Sequence, residues 1–131
     1  MRVRDLEGKE HPWNLTKYVN KKRARCSEYH KTAREILSKL YPFDQILEEV
    51  HLPGTQLYAD FFIPKQMLVV EVQGEQHTNF TPFFHKDKQS FGKAKQRDKV
   101  KLEWCEINNI RLVELSYTED EQIWREKIIQ A

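Results

Sequence analysis

A single α/β domain, with a mixed central β-sheet flanked by helices in the order αβββαβα, is the fold this sequence predicts. Three observations point to it. Residues 27–40 carry apolar side chains at helical spacing. Two short apolar runs, 57–63 and 67–73, flank a tight Pro64-Lys65-Gln66 turn, as the strands of a hairpin do. Beyond residue 90 the pattern passes from helix to strand to helix. At 131 residues the chain is of one-domain size and buries roughly two-thirds of its unfolded surface.

The elements follow in order. Residues 1–26 read as a basic, polar N-terminal arm with a short helix over Trp13–Asn20. Ser27 caps the first helix and Glu28 follows, where the helix dipole favours an acid. That helix runs to about Leu40, ends at Pro42, and shows the stripe Tyr29, Ala33, Ile36, Leu37 and Leu40. Phe43–Val50 reads as the first strand, and Leu52-Pro53-Gly54-Thr55 as a turn. In the hairpin, Leu68, Val70 and Val72 point into a core, while Met67, Val69, Glu71 and Gln73 point the other way. Residues 74–88 form a loop bearing three phenylalanines and two histidines. A helix over Ser90–Asn108 and a strand over Ile110–Ser116 complete a core spanning 27–116. The remainder, 117–131, is a C-terminal helix starting near Glu119.

Composition narrows the function. Charged residues are 32% and apolar residues 39%, which is globular rather than disordered. No run approaches the ~20 apolar residues of a membrane span, and no secretory leader opens the chain. Two cysteines, Cys26 and Cys105, make neither a disulfide framework nor a zinc site, and are expected to pack as small hydrophobes in a reducing, cytoplasmic setting. The net charge of +2 is unevenly spread. Lys17, Lys21, Lys22, Arg23 and Arg25 form one basic run. Lys86 to Lys101 forms another, including Lys95 and Lys99, whereas Glu114 to Glu126 is acidic. Such segregation suits a phosphate-binding face for DNA, though either run alone also reads as a solvated helix.

The hairpin carries the chemistry. Antiparallel pairing across the turn sets Asp60 alongside Glu71. Two carboxylates forced together in half-buried strands repel and lose solvation, at a cost of several kcal/mol unless a cation lies between them. Hard oxygen ligands of this kind suit Mg²⁺, with Mn²⁺ as a substitute. The plainer alternative makes Glu71 and Gln73 the solvated face of an edge strand.

Asp60, ten intervening residues and then Glu71-Val72-Gln73 resemble the PD-(D/E)XK nuclease core, with Ala59 at the motif's proline and Gln73 at its lysine. The fuller run, Asp60-Phe61-Phe62-Ile63-Pro64 and then Val69-Val70-Glu71-Val72-Gln73-Gly74-Glu75-Gln76-His77, is similar to the Vsr-like branch. That branch contains mismatch-nicking repair endonucleases and phage-borne EDxHD homing endonucleases. The resemblance covers about residues 27–116. It implies a restriction-endonuclease-like fold, with Mg²⁺ on Asp60, Glu71 and the Val72 carbonyl. It also implies that His77 assists proton transfer and that Asp98 is the late acid. For a phage-borne protein the setting is the host cytoplasm. One such site cuts one strand, so a double-strand break needs a homodimer.

Position in the pattern adds three further residues. Asp98 falls amid a stripe of Phe91, Ala94, Leu102 and Cys105, so it should be far less exposed than its neighbours. It serves either the site or a structural salt bridge to Arg111 or His77. His30 borders the apolar stripe of the first helix and is better aimed at the sheet than Glu35. It is expected to contribute to the site. Gln73 cannot act as a base and would position water by hydrogen bonding. The reading from another class is a catalytically weakened DNA-binding module on the same scaffold; a protein acting only through protein contacts is a further one.

Overall fold

The computed structural model describes residues 1–74 and 88–130, with the side chains of 88–95 outside that description. His77, His85 and the aromatic loop therefore lie outside the described residues, as does the side chain of Lys95. Two strands, β1 (Arg2–Arg4) and β2 (Glu10–Pro12), pair antiparallel at the N-terminus. Helix α1 (Glu28–Leu40) follows, then β3 (Leu47–His51), β4 (Tyr58–Ile63) and β5 (Leu68–Gln73). Helix α2 (Lys88–Ile107), β6 (Arg111–Ser116) and α3 (Glu121–Gln130) complete the described chain. β3 to β6 form one mixed sheet in that order, antiparallel except for the parallel β5–β6 pair. The mixed α/β core expected from sequence is thus present, with its helices at 28–40, 88–107 and 121–130.

Both sheet faces are buried. Ala33, Ile36 and Leu37 of α1 pack with Phe61, Leu68 and Val70 on one of them. Trp13, Trp104 and Cys105 pack with Phe62 and Val69 on the other. The expectation that β5 has one apolar and one polar face therefore fails at Val69, which Trp104 and its neighbours cover. Trp13 explains much of this. Its ring stacks on Phe62 at a centroid distance of 4.6 Å and meets Trp104 edge-on at 5.2 Å. Its indole N–H donates to the His51 carbonyl.

The N-terminal segment is correspondingly more structured than a polar arm. Val3 is buried between exposed Arg2 and Arg4, and Asp5 Oδ1 accepts from the N–H groups of Glu7 and Lys9 to build the hairpin turn. Residues 13–20 hold a short 3-10 turn, Thr16–Tyr18, rather than an α-helix. Phe43 is 94% exposed and belongs to no strand; the first core strand starts at Leu47. Within α1 the buried stripe is His30, Ala33, Ile36 and Leu37, so it is rotated from the expected one, and Tyr29 is exposed.

Candidate functional site

Regular strand alternation breaks at one place. Leu47 and Val50 join the same buried cluster although three residues apart, and so do Ala59 and Phe62 across from them. Strict alternation would separate the members of each pair. The break falls on Glu49, whose φ of 52° lies in the left-handed region, and on Asp60 opposite it in register. Such a conformation is costly for a residue with a side chain and gathers at functional sites.

Asp60 is also where β4 and β5 part. Their ladder runs through Phe61–Val70, and the next position in register would oppose Asp60 to Glu71. Side chains take over there. Asp60 N–H donates to Glu71 Oε2 at 2.7 Å, and Val72 N–H donates to Asp60 Oδ2 at 2.8 Å. Each carboxylate thus fixes the opposite strand through one oxygen and turns the other outward. The N–H and C=O of one residue leave an extended strand on the same edge, so the Val72 carbonyl faces this gap too.

Each outward oxygen meets a cation. Lys101 Nζ of α2 forms a close ion pair with Glu71 Oε1, and Arg23 Nη1 lies 3.7 Å from Asp60 Oδ1. Glu71 is only 7% exposed. Burial, and then the Asp60 charge, push its carboxyl up to about 7 even with the Lys101 ammonium against it. An oxygen-rich, desolvated carboxylate pair is the kind of donor set that a hard divalent cation takes, and Asp60 Oδ1, Glu71 Oε1 and the Val72 carbonyl would hold one.

The other residues expected at the site are more scattered. Gln73 ends β5, half-buried, its carbonyl accepting from Tyr117 N–H. Asp98 is half-buried between exposed Arg97 and Lys99, one turn before Lys101. It is less exposed than they are but not buried, because α2 anchors through Trp104 and Cys105 while Leu102 is exposed. His30 does not join the carboxylate pair: its Nε2 hydrogen-bonds Glu48 Oε1 at 2.9 Å and its ring stacks on Phe61. Lys17, Lys21, Lys22, Arg23 and Arg25 are exposed along one stretch, as is Lys99 on α2. Cys105 packs as expected, its thiol pushed up to about 12 by burial.

Sequence reasoning misses three residues here. Lys101 reads only as a member of the phosphate-binding run, although it stands one turn before Cys105, which does face the core. Glu48 and Arg34 give no signal as a pair. An acid between Leu47 and Val50 in a strand is the one hint of Glu48.

No protein-family model matches this chain, and no solved structure does. Two viral proteins are similar over part of it. Uncharacterized protein 307L of Invertebrate iridescent virus 6 is 44% identical over 62 residues, 47% of this chain and 32% of that protein. Uncharacterized protein 033L of Invertebrate iridescent virus 3 is 37% identical over 67 residues, 51% of this chain and 34% of that protein. The matched part of the chain spans about a third of the length of each relative. No described helix is long and apolar enough to cross a membrane.

Proposed function

We propose that this chain is a metal-dependent DNA endonuclease of restriction-endonuclease-like fold that nicks one strand. The observation that carries the reading is the reciprocal Asp60–Glu71 pair, which opens the β4–β5 ladder and holds a buried carboxylate beside a second one. A bound Mg²⁺ or Mn²⁺ lowers the pKa of a coordinated water and offsets charge developing on a phosphate. The chain's own residues then have separable tasks. Asp60, Glu71 and the Val72 carbonyl bind the ion. Lys101 brings to Glu71 the cation that Gln73 does not supply from the strand. Gln73 hydrogen-bonds the attacking water, and His77 is positioned in sequence to assist proton transfer. The exposed basic stretch from Lys17 to Arg25 holds DNA phosphates. The viral relatives are consistent with a virus-encoded protein.

Nicking of supercoiled plasmid in Mg²⁺ or Mn²⁺ tests this. Asp60→Ala and Glu71→Ala should abolish cleavage and leave DNA binding intact, and EDTA should stop the wild type. Nicked circles should precede any linear product, because a monomer offers one site. Full activity in excess EDTA would discard the mechanism.

One observation favours a second reading. Lys101 and Arg23 already face both outward oxygens, as in a site that balances its own charge and only binds DNA. Mn²⁺ titration separates the two: a binding module takes up no Mn²⁺ at the pair, and a nuclease loses that uptake in Asp60→Ala.

A further inference from the structure

Next to the carboxylate pair lies a buried polar group that the chemistry above leaves unused. The side chains of Glu48 and His30 are each 3% exposed. Glu48 accepts four hydrogen bonds: one from His30 Nε2 at 2.9 Å, two from Arg34 at 2.7 Å each, and one from Arg23 N–H at 3.1 Å. Arg34 Nη2 also donates to the Arg23 carbonyl at 3.3 Å. Both backbone polar groups of Arg23 are therefore held by one ion pair, rooted in β3 and α1.

The consequence is directional. Arg23 sits in an otherwise exposed basic stretch, yet its backbone is held and its guanidinium lies between Glu49 and Asp60, 3.7 Å from an oxygen of each. At that distance it is attracted by both carboxylates without donating a proper hydrogen bond to either. The side chain is 38% exposed, so its donors stay open to a ligand. A guanidinium presents a rigid fork that matches two phosphate oxygens. An exposed arginine near two acids gains little from them, and a carboxylate buried as deeply as Glu48 is costly to keep. Holding Arg23 in one place accounts for both.

We propose that Arg23 grips the phosphate that is cut, and that Glu48, Arg34 and His30 are positioning residues that aim it. The inference rests on the phosphodiesterase reading and adds to it: Arg23 differs from Lys21, Lys22 and Arg25 in touching the reacting group rather than a flanking phosphate.

Arg23→Ala in the full chain should lower the single-turnover rate at saturating DNA about 10²-fold, as for loss of one preorganised donor. The Kd for the same DNA in Ca²⁺ should move less than about threefold, because the other basic residues still hold the flanking phosphates. Arg23→Lys keeps the charge without the fork and should recover only part of the rate. Glu48→Gln and Arg34→Lys should show the same split, and neither should slow a protein that already carries Arg23→Ala. Thermal melting checks that Glu48→Gln folds; Arg34→Lys carries the positioning test if it does not. Wild-type cleavage by Arg23→Ala, or a loss confined to Kd, would overturn the clamp. Fully additive losses would make Glu48 and Arg34 structural only. A readout without cleavage separates this from failure of the nuclease reading: inorganic phosphate added to ¹⁵N-labelled wild type with Mg²⁺ should shift the Arg23 Nε–Hε resonance. No shift discards the clamp even in an active nuclease. A shift in a protein that never nicks DNA keeps Arg23 as an aimed phosphate-binding residue but overturns its role at a cut phosphate together with the nuclease reading.

Discussion

Glu71 accepts a hydrogen bond from Asp60 N–H, receives Lys101, and still holds its proton up to about pH 7. An unfolded glutamate titrates near 4.5. Between those two values the folded protein binds the extra proton, so stability falls as pH rises across the window, and the penalty is complete above it. Glu71→Gln keeps an oxygen for the Asp60 N–H and removes the charge. With metal chelated, it should be more stable than wild type at pH 8, by about 2–3 kcal/mol at most. The advantage should shrink steadily toward pH 5. Paired denaturant titrations at the two pH values check it; an advantage equal at both would mean that Glu71 is not the buried charge described here. Lys101 gives the second residue-scale prediction. If its ammonium does what a strand lysine at position 73 would do, Lys101→Met should slow cleavage about 10²-fold. Adding Gln73→Lys to Lys101→Met should then recover much of the rate. Recovery absent from the double variant would separate the two positions.

At the scale of elements, the N-terminal hairpin and the basic stretch after it have different duties. Gly54, at φ 83°, lets the β3–β4 turn lie against the hairpin: a Cβ there would come within 2.4 Å of Asp5 Cβ. Gly54→Ala meets both the backbone penalty and that collision, so it should destabilise the protein by about 2 kcal/mol or more in chemical denaturation. A neutral effect would show that the hairpin is not docked. The stretch itself should act electrostatically. Replacing Lys21, Lys22 and Arg25 by Ala should weaken binding to all DNA sequences alike. The slope of log K against log salt should fall by nearly one for each phosphate no longer neutralised. An unchanged slope would move the DNA toward the cations of α2, such as Lys99. At the β6 edge of the sheet, Lys127 Nζ donates to the Glu114 carbonyl and pairs with Glu119.

For the molecule as a whole, what the sequence determined by itself was local and periodic. The spacing of Ala33, Ile36 and Leu37, the Ser27 cap and the Pro64–Gln66 turn were legible, because each depends on neighbours three or four residues away. So was the register that opposes Asp60 to Glu71, since a short turn fixes it. Partners distant in the chain were not. Trp13 packs on Phe62 and Trp104, and that packing turned an expected arm into part of the core and buried the second face of β5. On the same face of the sheet, Lys101 of α2 meets Glu71 one turn before the buried Cys105. Glu48 became the anchor of Arg23 only when β3, α1 and the arm met in space. Hydrophobic burial has no direction and couples residues without regard to their separation. The sequence therefore set which segments are helices and strands, whereas tertiary packing decided which charges face one another.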